Sequence, residues 1–130
     1  MSIDVIGDFL TIIRNGLMSS KSFVIAPFSG MNLEIAQILK AEGFVKDSVV
    51  TEQDGKRYIK VFLKYVDGES VIHEIKRVSR PGRRDYKGAR GIKPVIGGLG
   101  LSILTTSKGV ISHKQAKELG VGGEVICTVW

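Results

Sequence analysis

The chain has 130 residues, 43% of them hydrophobic and 25% charged, an ordinary globular mixture sufficient for one compact domain or two small lobes. No stretch approaches the ~18 consecutive apolar residues of a membrane-spanning helix. Asp4 and Asp8, with no Lys or Arg before residue 14, do not make the basic start of a secretory signal, and a single cysteine, Cys127, excludes an internal disulfide and fits a reducing, cytosolic compartment.

The first segment reads as an amphipathic helix. Ile6, Phe9, Leu10, Ile13 and Leu17 recur at helical spacing, while Asp4, Asp8, Thr11 and Asn15 form the opposite stripe with Arg14 beside it. Gly16 is the expected end signal. Ser22 to Ala26 reads as a short strand stopped by Pro27. Ser29 is placed to cap a second helix with Met31, Ile35, Ile38 and Leu39 on its buried face and Gly43 at its end. Phe44 to Val50 and Arg57 to Val66 read as strands joined at Asp54-Gly55, a strong hairpin signal. Asp67-Gly68 makes another turn, and Val71 to Val78 is a further expected strand. After Pro81-Gly82 and Lys93-Pro94, the run Gly97-Gly98-Leu99-Gly100 reads as a flexible turn. Leu101 to Leu104 and Val110-Ile111 read as strands around a polar tip, Thr105 to Gly109. Ser112 and Gln115 form a capping-box pattern opening a short helix to Leu119, Gly120, Gly122 and Gly123 end it, and Glu124 to Trp130 is a last strand. The expected architecture is α+β in two small lobes: residues 1–66 an N-terminal helix–strand–helix–hairpin, residues 67–130 a C-terminal, strand-rich lobe with a short helix.

The net charge of +6 is unevenly distributed. Residues 1–70 hold 8 Lys and Arg against 9 Asp and Glu, whereas residues 71–130 hold 11 against 4. Lys76, Arg77, Arg80, Arg83, Arg84, Lys87, Arg90 and Lys93 fall within 18 residues, with Asp85 alone opposing them and Tyr86 among them. Such a field attracts polyanions, because unopposed cations repel one another without a partner; the bland alternative is a solvated charged surface. Beyond it, Thr105, Thr106, Ser107, Lys108 and Gly109 put three hydroxyls and an ammonium on one turn. Hydroxyls both donate and accept, which suits the ribose hydroxyls, base edges and phosphates of an RNA minor groove. The alternative is a turn whose hydroxyls satisfy their own backbone.

Catalytic signals are weak. His73 and His113 are far apart without an activating partner, and Cys127 alternates with apolar neighbours as a packed thiol would. Asp4 and Asp8 fit a solvated face at a helix start. There is no metal-ligand spacing, no P-loop and no dinucleotide fingerprint, so no cofactor and no metal are expected.

From Gly100 to Lys117 the chain resembles ribosomal protein eight of the bacterial small subunit, at Gly100, Ile103-Leu104, Thr105-Thr106, Gly109, Val110-Ile111, Ala116 and Lys117. Arg14-Asn15, Ser79-Arg80-Pro81-Gly82, Gly97-Gly98-Leu99-Gly100, Gly122-Gly123-Glu124-Val125 and the terminal Trp130 extend the match over the whole chain. Val5 and Ile12 depart from it, standing where that family often has Pro and Arg. The resemblance implies a structural, non-enzymatic constituent of the small ribosomal subunit in the cytoplasm. It implies primary binding to the central domain of 16S ribosomal RNA, help in assembling the platform, and neighbours such as ribosomal proteins five and twelve of the small subunit. Carried over by position, the RNA-contacting loop is Thr105 to Gly109, with Gly123 and Glu124 near it. Tyr86 and Arg90, together with Arg83 and Arg84, belong to the bordering basic segment, and Thr11, Arg14 and Asn15 form a second contact. An enzyme using the basic segment as an anion site lacks an acid/base or nucleophile constellation. A DNA-binding module lacks a helix with a basic, base-reading face.

Overall fold

The structure is a computed structural model that describes residues 4–88, 91 and 100–130. It forms two compact units that divide between His73 and Glu74. One comprises Val5–His73; the other comprises Glu74 onward together with Asp4.

In the first unit, α1 spans Val5–Met18 and buries Phe9, Leu10 and Ile13 at the expected spacing. Gly16 does not end this helix. It lies inside α1 and is buried, because a Cβ there would collide with Val24 Cγ1 and lie 3.1 Å from Leu63 Cδ1. Its missing side chain lets the helix lie directly on the sheet; the turn out of α1 is made by Ser20, at φ +52. Asp4 precedes the helix rather than sharing its acidic stripe. Strand β1, Phe23–Pro27, includes Pro27 as its last residue, which an edge strand tolerates.

Helix α2, Gly30–Ala41, is capped by Ser29, whose hydroxyl accepts from the Asn32 N–H at 3.3 Å. It ends in a Schellman motif: Phe44 N–H donates to Leu39 O at 2.8 Å, and Gly43 sits at φ +80. Its buried residues are Asn32, Ile35, Ala36 and Leu39, while Met31 and Ile38 are only half-buried. The face is turned toward Asn32 because the Asn32 Nδ2 donates to Val5 O at 3.4 Å, tying α2 to the start of α1. Strands β2 (Val45–Gln53) and β3 (Lys56–Leu63) form the expected hairpin, with Asp54 and Gly55 both at positive φ as a type I′ turn requires. The sheet order is β1-β3-β2, and its inner face buries Val24, Ala26, Val45, Ile59, Val61 and Leu63. Pairing breaks at Lys64; β4 (Tyr65–Val66) and β5 (Glu69–Ser70) make a small separate hairpin around Asp67-Gly68.

The expected strand from Val71 to Val78 is divided between the units: Val71 to His73 end the first, and in the second Ile75–Arg77 forms β6, flanked by backbone bonds of Glu74 with Trp130 and of Val78 with Ile126. His73 lies exposed in a bend. Strands β7 (Tyr86–Lys87), β8 (Leu101–Thr106), β9 (Gly109–Ser112) and β10 (Gly123–Val129) complete an antiparallel sheet ordered β6-β10-β8-β9, with β7 on β10. Helix α3, His113–Leu119, carries the full capping box of Ser112 and Gln115 and ends at Gly120, φ +68. It covers one face of the sheet, where Leu104, Ala116 and Val125 pack with Val78, Ile111 and Val121. His113 is buried, and its Nδ1 accepts from the Ser102 N–H at 3.1 Å, an internal structural contact. Burial pushes the Cys127 thiol up to about 12, so it stays neutral and packs as an apolar group. The expected turn at residues 97–99 lies outside the described residues.

Gly16→Ala should be destabilising despite the better helix propensity of alanine. The gain is about 1 kcal/mol, whereas forcing a methyl against stiff, β-branched Val24 costs about 1–3 kcal/mol. Gly30→Ala, at a position where a Cβ meets nothing within 4 Å, should be neutral or slightly stabilising. Urea unfolding midpoints of the two variants measure the contrast.

Candidate nucleic-acid interface

The interface residues of the second unit converge through the register of β10. Gly123 pairs with Lys87 on one side and Thr106 on the other; Glu124 pairs with Tyr86 and with Thr105. Directly opposed residues project to the same face, so Tyr86, Glu124 and Thr105 share one face. Adjacent strands lie about 4.8 Å apart, which puts the backbones of Tyr86 and Thr105 about 10 Å apart across β10. This approach requires glycine at two successive positions. A Cβ on Gly122 would run into Lys87 O and Gly88, and one on Gly123 into Thr105 O and the Thr106 methyl. Gly122 and Gly123 therefore admit neighbouring backbone in addition to ending α3.

The polar tip is shorter than the sequence suggests. Thr105 and Thr106 are the last residues of β8, and the turn itself is Ser107-Lys108, closed by pairing of Thr106 with Gly109 at φ +102. The Thr106 hydroxyl is internal to the turn: it donates to Gly109 O at 2.9 Å and accepts from Lys108 N–H at 3.0 Å. A hydroxyl has one proton, so Thr106 has no donor left for a ligand. Ser107 and Lys108 are exposed, and among the described residues their side chains have no partner. Thr105 is half-buried, and Tyr86, across β10 from it, is 67% exposed.

Glu124 faces inward to the basic segment. Its Oε2 accepts from the Ser79 hydroxyl at 2.6 Å and from Arg84 Nη1 at 2.9 Å. Ser79 is fully buried, and its Oγ also accepts from the Asp85 N–H at 3.0 Å. Backbone bonds from Ser79 N–H to Val125 O and from Val125 N–H to Asp85 O anchor both ends of the loop to β10. Burial alone would raise the Glu124 carboxyl, but the Ser79 and Arg84 hydrogen bonds outweigh it and hold the group below its ordinary value. Glu124 is thus a positioning residue for this loop, with one oxygen committed to the protein, and Arg84 is a paired cation. The sequence gives no sign of this role for Ser79, because an isolated serine before Arg-Pro-Gly carries no mark of burial.

Arg83 is exposed, and among the described residues it has no ion pair. Arg90 lies outside the described residues. Thr11, Arg14 and Asn15 lie on the exposed side of α1, in the unit that does not contain the loop. Among the described residues no cluster of three His, Cys, Asp or Glu could hold a metal ion, and no helix is long and apolar enough to cross a membrane.

A family model described as ribosomal protein S8 matches residues 4–130. Relatives called small ribosomal subunit protein uS8 align over nearly the full length of both chains. That of Nitrosospira multiformis is 49% identical, covering 97% of this chain and 96% of its own. That of Geobacter sulfurreducens is 49% identical, covering 98% and 97%. That of Marinobacter nauticus is 50% identical, again covering 98% and 97%.

The lowered Glu124 carboxyl has a consequence for stability. A group whose folded value is depressed stabilises fully above its ordinary value, and that contribution is lost as pH falls through the folded value. Glu124→Gln should therefore be less stable than the unaltered chain near pH 7, by about 1–2 kcal/mol for a charged hydrogen-bond acceptor with a partly exposed partner. The gap should close as pH falls below the ordinary carboxylate range and through the lowered folded value. Denaturant unfolding of both proteins across this range is the measurement; a gap equal at both ends would mean the charge does not hold the loop.

Proposed function

The chain belongs to the ribosomal protein S8 family, a family of structural constituents of the small ribosomal subunit, and on that premise we propose that it is a primary binder of the central domain of 16S ribosomal RNA that uses the Thr105–Gly109 turn and the basic segment together. The bacterial relatives and the family fit a ribosome of the cytoplasm, with ribosomal RNA and other small-subunit proteins as partners. In this reading the protein helps order the platform and touches neighbours such as ribosomal proteins five and twelve of the small subunit. It performs no catalysis.

One observation carries the reading. The two sequence features that point to RNA, a hydroxyl-bearing turn and the cation-rich segment that precedes it, meet on the same two residues of β10. The glycines at 122 and 123 make that meeting possible. Ser107 supplies a free donor and acceptor for a ribose or base edge, and Lys108 a phosphate contact. Tyr86 presents an exposed ring on the face it shares with Thr105, suited to stack on a base or ribose. Thr106 and Glu124 act one step back: the first shapes the turn, the second holds Arg84 and Ser79. Arg83 adds long-range attraction, as does Arg90 by resemblance. Thr11, Arg14 and Asn15 on α1 form a second, smaller contact.

Directional and electrostatic contributions separate by salt. Ser107→Ala should weaken binding to a central-domain transcript roughly ten- to a hundredfold, the cost of a buried RNA group left without its partner. Its salt dependence should stay unchanged, and an unrelated hairpin should be unaffected. Lys108→Ala should weaken both RNAs and reduce the slope of log affinity against log salt by about 0.7–0.9, one phosphate contact. Equal weakening of both RNAs by Ser107→Ala would reduce the turn to a structural element.

A further inference from the structure

Behind the basic segment lies a cleft of about 460 Å³ bordered by Lys76, Arg80, Arg83 and Thr128. Its geometry is built by a two-residue turn. Arg80 and Arg83 form an isolated antiparallel bridge around Pro81-Gly82, each N–H donating to the other's carbonyl at 2.9 Å. Cross-strand partners project to one side, so the bridge sets two arginines side by side. Like charges directly opposed in this way are destabilising, and among the described residues neither arginine, nor Lys76, has an ion pair to relieve it. Of the two acids nearby, Asp85 itself lines the cleft and faces Lys87, whereas Glu124 does not line it. Asp85 lies 3.7 Å from Lys87, and Glu124 holds Arg84. Arg77 also lines the cleft but is fixed as a wall, donating to Asp4 and to Ile126 O. The cleft wall thus sets four cations, three of them without an ion pair among the described residues, against one acid, Asp85.

The cleft is distinct from the hydroxyl turn. Lys76 pairs with Thr128, and Thr128 with Ser102. Along β8, Ser102 alternates with Ile103 and Thr105, so Lys76 and Thr128 project to the sheet face opposite Thr105 and Tyr86.

Building on the RNA-binding reading, we propose that this cleft is a second RNA site, which takes a backbone phosphodiester between Arg80, Arg83 and Lys76, with the Thr128 hydroxyl beside it. At about 460 Å³ the cleft has room for a phosphodiester with its flanking groups. The consecutive arginines then have different tasks: Arg83 contacts RNA, and Arg84 positions the loop. The RNA is engaged at two separated points, one on each face of the sheet.

Charge inversion tests this with opposite signs in the free and bound states. Arg83→Glu should raise the melting temperature of the free protein by about 1–5 °C, because it replaces a cross-strand repulsion by an attraction. It should weaken a central-domain transcript at least tenfold. The double variant Arg80→Gln with Arg83→Gln, which adds no new pair, should lower the salt slope by about 0.7–0.9. Ser107→Ala, measured in parallel, separates the two readings. If it weakens the transcript while the arginine variants leave affinity and slope unchanged, the cleft is empty in the complex and the proposal fails alone. If none of the variants changes binding, the RNA-binding reading fails and takes the proposal with it. Orthophosphate is the remaining arm: if it raises the melting temperature over chloride at matched ionic strength, loses that effect in Arg83→Gln, and RNA binding is unaltered by either arginine, the cleft is a free-phosphate site and the proposal is overturned.

Discussion

The interface rests on a packing constraint at the start of β10. A strand of seven residues has pairing partners along both edges, and at Gly122 and Gly123 the neighbouring backbone occupies the volume a Cβ would need. Any larger residue would push away either Lys87-Gly88 or Thr105-Thr106, at an overpacking cost of about 1–3 kcal/mol. The geometric effect is larger than that figure conveys. Displacing β7 moves Tyr86 and Lys87 away from β10, and displacing β8 moves the hydroxyl turn. Two missing side chains thereby hold two chemically different elements one strand apart.

Charge follows the same division as structure. Residues 5–73 hold 8 cations and 8 anions, so all of the net +6 lies in the other unit. Within that unit three of the five acids face cations: Asp4 holds Arg77, Glu124 holds Arg84, and Asp85 lies near Lys87. Exposed ion pairs contribute little to stability. Their effect here is to sort the cations into those that brace the loop and those left to meet solvent or a polyanion.

Hydroxyls are sorted similarly. Ser79 and Thr106 sit in the same neighbourhood as Ser107, yet each donates its single proton inside the protein, to Glu124 and to Gly109. Ser79 is buried, and removing its donor would cost about 1–3 kcal/mol; Thr106 is held instead by its two hydrogen bonds across the exposed turn. Ser107, at the corner of a two-residue turn, is the hydroxyl that faces outward. A directional contact there and a diffuse field from the cations supply different qualities of recognition, geometry from one and attraction from the other.

Much of this was legible in the chain itself. Helical spacing in Phe9, Leu10 and Ile13, the Asp54-Gly55 hairpin, the Ser29 cap and the Ser112–Gln115 capping box depend on residues a few positions apart, and local physics determines them. The α+β class, the concentration of charge after residue 75 and the family resemblance followed from the same information. What the sequence could not determine are the relations between distant segments. Gly16 reads locally as a helix stop, but Val24 and Leu63 make it a packing site. Asp4 reads as part of a helical stripe, but Arg77, 73 residues away, claims it. Arg83 and Arg84 are equivalent as letters, and only Glu124 on β10 separates a braced cation from an unpaired one. Short-range patterns are set by bonded geometry and local hydrogen bonds, which travel with the sequence. Pairing partners, closest approach and burial are set by which segments the folded chain brings together, so they were decided in the tertiary structure.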